Sequence, residues 1–156
     1  MVIAHSLGSS VTGHAFRDHP DLYDRVDNLM LVGSPGVPQS KASEFGTDVV
    51  VAIAPDDVIH LSGNAWSEGP SIFTTAGCLA SGAYLVAPEA CDAPNPWDSE
   101  FGADVYWAPN LDYPGWFDGV KAHGTYLDTP EIAYDLVARG FTGSWPDEPF
   151  GSVGYR

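Results

Sequence analysis

Basic residues are scarce in this sequence: six Lys and Arg stand against 21 Asp and Glu in 156 residues, for a formal net charge of −15. Such a surface repels phosphate backbones. With no Lys/Arg cluster to release counterions, nucleic-acid binding is not expected. The same sign disfavours anionic membrane surfaces. Long apolar runs are missing too. Runs such as residues 29–32 and 49–54 fall far short of the roughly 20 residues of a membrane-spanning helix, so no membrane span is expected. The opening Met-Val-Ile-Ala-His has neither a basic flank nor an apolar core, so no signal peptide is expected there and the cytoplasm is the default compartment. Cysteine occurs only at Cys78 and Cys91, which fits a disulfide in an oxidising compartment as well as two buried thiols in a reducing one. Cys and His do not fall at zinc-ligand spacing, and no G-x-x-x-x-G-K-[ST] or G-x-G-x-x-G is present. The acidic residues Asp92, Asn95, Asp98, Glu100 and Asp104 lack the EF-hand spacing and its central Gly. Neither a metal nor another cofactor is expected.

What is present suffices for a globular domain. The chain is 44% apolar and 12% aromatic, with a charged fraction of 17%, low for a disordered chain. Its first 60 residues alternate in character. Residues 1–5 end abruptly, like the tail of a strand. Leu7, Val11 and Ala15 then fall four apart, a helical stripe closed by His19-Pro20. Residues 28–32 (Asn-Leu-Met-Leu-Val) and 48–54 (Asp-Val-Val-Val-Ala-Ile-Ala) are short, continuously apolar runs. Runs apolar on both faces suit a parallel sheet covered by helices, so the class is α/β. Residues 61–119 are rich in Gly, Pro, Ser and aromatics without a sustained period, and read as an irregular, cap-like excursion with short strand near 105–107. Thr129 as N-cap, Pro130 in the first helical position, Ile132, Leu136 and Val137 as the buried stripe and Gly140 as the stop predict a last helix. Residues 1–140 make one domain, and 141–156 a tail.

The chemistry-bearing signal is Ala4-His5-Ser6-Leu7-Gly8, a variant of G-x-S-x-G between a strand and a helix. A serine in such an elbow sits on a strained turn, with small residues needed two positions to either side, which Ala4 and Gly8 provide. The Leu7 N–H and the helix N-terminus then lie where an oxyanion would develop. A serine before a helix is also a common N-cap. A serine nucleophile needs a histidine base, and the base an orienting carboxylate. In chain order the acid follows a later strand, which points to Asp57, with Asp56 as the alternative; the pair also suits a solvated turn. Of five histidines, His5 lies in the elbow, His14 and His19 on the first helix, and His60 too close to the acid. His123, in a loop directly before the last helix, stands where the base belongs. The aromatics Trp66, Phe73, Tyr84, Trp97, Tyr106, Trp107, Trp116 and Phe117 suit an acyl pocket or the packing of a cap equally well.

Ala-His-Ser-Leu-Gly-Ser-Ser-Val-Thr-Gly, the strand ending Leu-Val-Gly-Ser-Pro-Gly-Val, Asp57, Phe101-Gly102-Ala103, and His123 with Tyr126 occur in that order. Together they resemble an α/β-hydrolase family widespread in actinobacteria, over about residues 1–140. The resemblance implies a partial α/β-hydrolase fold with Ser6 as nucleophile, His123 as base, Asp57 as acid and Leu7 in the oxyanion hole. It implies a small-molecule acyl substrate, an ester or a similar bond. Ala4 stands where the family has Gly. A full α/β-hydrolase has about four strands before the elbow, so the chain is expected to be the C-terminal portion. The alternative reading is a non-catalytic acidic α/β remnant, or a subunit that pairs with a second copy or another chain through the apolar edge of the elbow strand.

Overall fold

The computed structural model describes residues 1–57, 59, 95–109 and 116–143, with side chains from residue 120 onward in the last stretch. Four strands, β1 (Val2–His5), β2 (Asn28–Val32), β3 (Asp48–Ile53) and β4 (Asp104–Trp107), form one parallel sheet in the order β1-β2-β3-β4. The register pairs His5 with Val32, Val32 with Ala52 and Ile53 with Trp107. The chain therefore leaves all four strands on one side. β2 and β3 are inner strands buried on both faces, which is why their sequences are apolar without alternation. This is a four-stranded parallel sheet flanked by helices, in keeping with a partial α/β-hydrolase fold.

Helix α1 (Leu7–Asp18) and a short 3-10 turn at Ala42–Phe45 cover one face. There Phe16, Phe45, Leu29, Leu31, Val51, Ile53, Trp97 and Phe101 make one core cluster. The buried side of α1 carries Ser9, Ser10, Gly13 and Phe16, not the predicted Leu7-Val11-Ala15 stripe; Val11 is 60% exposed. The loop after β2 is the cause, for it lies directly against the helix. Ser10 Oγ donates to the Gly36 carbonyl at 2.7 Å and Gln39 Nε2 to that of Gly13 at 2.8 Å. A Cβ at Gly13 would stand 2.6 Å from Pro38 Cδ. Side chains of Val37, Pro38 and Gln39 packed onto the helix select small residues there, and bulk at those positions would force the loop away.

Helix α2 (Trp116–Gly124) and helix α3 (Pro130–Thr142) follow the sheet. The second core cluster joins Met30, Val32, Val50, Ala52 and Tyr106 to Tyr126, Ile132 and Leu136. Pro130 opens α3 as predicted, but Thr129 makes no side-chain cap bond, its hydroxyl turning back to the Thr125 carbonyl at 2.9 Å. Val137 is exposed at 39%. Gly140 does not stop the helix, which runs to Thr142 and ends on Gly143 in the left-handed conformation. A Cβ at Gly140 would run into the Met1 side chain and stand 3.0 Å from Met30 Cε, so this glycine is a contact point. Arg139 ties the sheet's lower edge, with Nη2 2.6 Å from Asp48 Oδ2 and Nε 3.3 Å from Asp104 Oδ2.

The short strand expected near 105–107 is β4; within the stretch read as irregular, Trp97 and Phe101 are packed into the core and residue 116 begins α2. The rest of that reading, residues 61–94 and 110–115, lies outside the described residues, as do Cys78, Cys91, His60 and Asp92 and the part of the tail from 144 to 156. Among the described residues no helix is long and apolar enough to cross a membrane.

Candidate active site

The site gathers at the carboxyl ends of β1, β2 and β3, where parallel sheets expose backbone ends and loops to ligands. The Ser6 N–H still belongs to the sheet, donating to the Val32 carbonyl at 2.9 Å, while its own carbonyl accepts the Ser9 N–H of α1. Reversing from strand to helix within one residue drives Ser6 to φ 55°, ψ −132°; it is the one described non-glycine residue with positive φ. Such a conformation costs on the order of 1–3 kcal/mol and persists only where its surroundings hold it. The Ser6 side chain does not cap α1. It points across to His123, with Oγ 2.7 Å from Nε2. Leu7 begins the helix, so its N–H has no acceptor within it and stands beside Ser6.

His123 occupies the last turn of α2, not a loop. Its Nδ1 lies 3.1 Å from both carboxylate oxygens of Asp57. An ionised carboxylate only accepts, so Nδ1 carries the proton and Nε2 is left as the acceptor for the Ser6 hydroxyl. Asp57 is fully buried, and each of its oxygens has a second donor. Oδ1 takes the Ile59 N–H at 2.7 Å and Oδ2 the Tyr126 hydroxyl at 2.6 Å. Tyr126 in turn accepts the Ala54 N–H at 2.7 Å. Burial first, then the neighbouring Asp57 charge, hold the Tyr126 pKa well above its ordinary value, so this hydroxyl is a donor throughout the neutral range.

Two further residues shape the site. Gly33 ends β2 with φ 52°, and a Cβ there would stand 3.0 Å from both Asp57 Oδ2 and His123 Nδ1. A side chain there would press on the pair, at a φ that side chains rarely adopt. His5 lies on the other side, its ring centroid 4.9 Å from that of His123 and its Nε2 donating to the His123 carbonyl at 2.7 Å. It fastens the helix turn that carries the imidazole. Of the sequence candidates, then, the structure brings Ser6, His123 and Asp57 into contact, with Leu7 beside them. Asp56 lies next to Asp57, half-buried, and the His123 bonds go to Asp57. His14 faces Arg17 on α1 and His19 is exposed at its end, both away from the site. Gly33 and Tyr126 stand among the residues that carry the resemblance, and His5 in the elbow, but the part each one plays is not legible there, since each partner is distant in the chain. Of the aromatics considered for a pocket, Trp97 and Tyr106 are core residues and Trp107 packs against the core; Trp66, Phe73 and Tyr84 lie outside the described residues, and so do the side chains of Trp116 and Phe117.

A protein family described as alpha/beta hydrolase matches residues 1–65. The matched stretch runs from β1 through β3 and takes in Ser6, Gly33 and Asp57; His123 and Tyr126 fall beyond it. The match supports the α/β-hydrolase superfamily and suggests a hydrolase. No curated protein and no solved structure matches the chain.

Proposed function

We propose that the protein is a serine hydrolase that cleaves an ester or related acyl bond of a small molecule through an acyl-Ser6 intermediate. The observation that carries this reading is the strained Ser6, its hydroxyl 2.7 Å from an imidazole whose other nitrogen faces a buried carboxylate. His123 Nε2 takes the Ser6 proton as Oγ attacks the acyl carbon, and Asp57 stabilises the imidazolium that forms. The Leu7 N–H, at the positive end of the α1 dipole, donates to the oxyanion of the tetrahedral intermediate. Collapse expels the alcohol with the proton from His123. Water, activated by the same imidazole, then releases the acid and restores Ser6. Residues 1–140 act as one unit in this reading, because the nucleophile, the acid and the base come from β1, the turn after β3 and α2 in turn.

The test is labelling of the full chain with a fluorophosphonate probe, the adduct located by mass spectrometry, with Ser6→Ala as control. Label on Ser6, absent from the variant, is the expected result. An unlabelled, folded wild-type chain, or equal labelling of both proteins, would overturn the reading.

A further inference from the structure

One buried polar group in contact with these residues has no part in the steps above: the Tyr126 hydroxyl. We propose that Tyr126 is a positioning residue of the site, whose hydroxyl fixes the Asp57 carboxylate against His123 and moderates its pull on the imidazole proton. The proposal deepens the serine-hydrolase reading and rests on it.

A phenylalanine at position 126 would pack equally well. The ring of Tyr126 is wholly buried in the cluster with Val32, Ala52 and Ala54, and its packing does not need an oxygen. The oxygen instead joins two directed bonds, taking the Ala54 N–H at 2.7 Å and giving its own O–H to Asp57 Oδ2 at 2.6 Å, the same oxygen that accepts from His123 Nδ1 at 3.1 Å. Bonds joined in this way polarise one another, so the backbone amide strengthens the tyrosine as a donor. Ile59 holds Oδ1 and Tyr126 holds Oδ2, which stops the carboxylate from rotating and leaves Nδ1 equally distant from both oxygens. A donor on Oδ2 also withdraws charge that would otherwise act on the imidazole alone. Tyr126 is three residues from His123, so base and acid-holder ride on one short segment. The titratable groups facing the hydroxyl are Asp57 and Asp56 from the turn after β3, His123 from α2 and His5 from β1, whose ring centroid is 6.1 Å from that of Tyr126.

The deciding measurement is the NMR pH titration of the His123 ring in the full chain, its signals assigned by their loss in His123→Gln. In Tyr126→Phe the carboxylate loses a donor and grips the imidazole proton more tightly. The midpoint therefore moves to higher pH, equivalent to an about threefold stronger hold on the proton. Tyr106→Phe is the control, since it deletes a comparable buried bond, Tyr106 hydroxyl to Asp135 Oδ2 at 3.0 Å, and leaves the midpoint in place. Should Tyr126→Phe not fold, 3-fluorotyrosine placed at position 126 keeps the shape with a stronger donor, and the midpoint moves to lower pH. A midpoint unmoved in whichever replacement folds overturns the proposal. Fluorophosphonate labelling is followed in parallel and falls about tenfold in Tyr126→Phe, the scale of one hydrogen bond to a charged group. If the wild type takes no label, the hydrolase reading fails while the titration still decides the role of Tyr126.

Discussion

On the α1 face of the sheet the buried layer is aromatic and aliphatic, with Phe16, Phe45, Trp97 and Phe101 over Leu29, Leu31, Val51 and Ile53. Its buried polar groups, Ser9, Ser10 and Gln39, are tied to backbone carbonyls. On the α3 face Met30, Ile132, Leu136 and smaller aliphatics surround Tyr106 and Tyr126, each donating to a buried aspartate. The apolar layer is held by area and shape, which tolerate small shifts. The polar layer is held by directed bonds, each of which sets an angle as well as a distance. It is the second layer that reaches up to His123 and Asp57. The difference teaches that stability and site geometry draw on different faces, so substitutions can separate them.

The largest expected effect is on the apolar face. Phe16 is 2% exposed and packs edge-on against Phe45, with ring centroids 5.5 Å apart, and against Tyr23 at 6.0 Å. Phe16→Ala is expected to lose about 3–5 kcal/mol of stability by urea unfolding. Phe16 lies nine residues into α1 from the site, about 14 Å along the axis. The labelling rate of the remaining folded protein should therefore stay within about twofold of wild type. A matching fall in the folded protein's labelling would show that the two faces are coupled and that the comparison is too sharp.

Gly33→Ala probes the other layer. The new Cβ enters at 3.0 Å from Asp57 Oδ2 and His123 Nδ1, at a φ that side chains rarely adopt. Stability should fall by about 1 kcal/mol from the backbone alone. Labelling should fall about 100-fold, because displacement of the pair by a fraction of an ångström misaligns Nε2 with Ser6. Loss of stability with the labelling rate kept would make Gly33 a turn glycine and nothing more.

The same contrast explains what the sequence disclosed. β2 and β3 were legible to within a residue because both their faces are buried, so composition alone marks them. The buried side of α1 was not, because hydrophobic periodicity seeks bulk and that helix packs through Ser9, Ser10 and Gly13. Gly140 misled for a related reason: a glycine chosen for close approach to Met1 and Met30 looks in sequence like a helix stop. At the site, Ser6, Asp57 and His123 carry local cues, a strand-to-helix turn, a post-strand aspartate and a position before the last helix. Tyr126 is marked only as a partner of His123 in the resemblance and His5 only as an elbow residue; what each one bonds is hidden, since those bonds reach across 69 and 118 residues of chain. Chain order can nominate the groups of such a site, but the bonds that orient them are long-range and belong to the fold.

The smallest expected effect concerns the second glycine near the serine. The elbow reading asks for a small residue at position 8, yet a Cβ at Gly8 meets nothing within 4 Å among the described residues. Gly8 is also the second residue of α1, where glycine carries an entropic cost relative to alanine. Gly8→Ala is therefore expected to raise stability by about 0.5 kcal/mol, less than a mid-helix replacement because the first turn is only partly constrained. The labelling rate should not change. Urea unfolding and fluorophosphonate labelling of one sample check both halves. If stability rises while labelling falls, the methyl group obstructs the approach of the probe to Ser6, and position 8 borders the acyl site. If both hold, the crowding at Ser6 comes from the Gly33 side alone, where the imidazole and its carboxylate already fill the space.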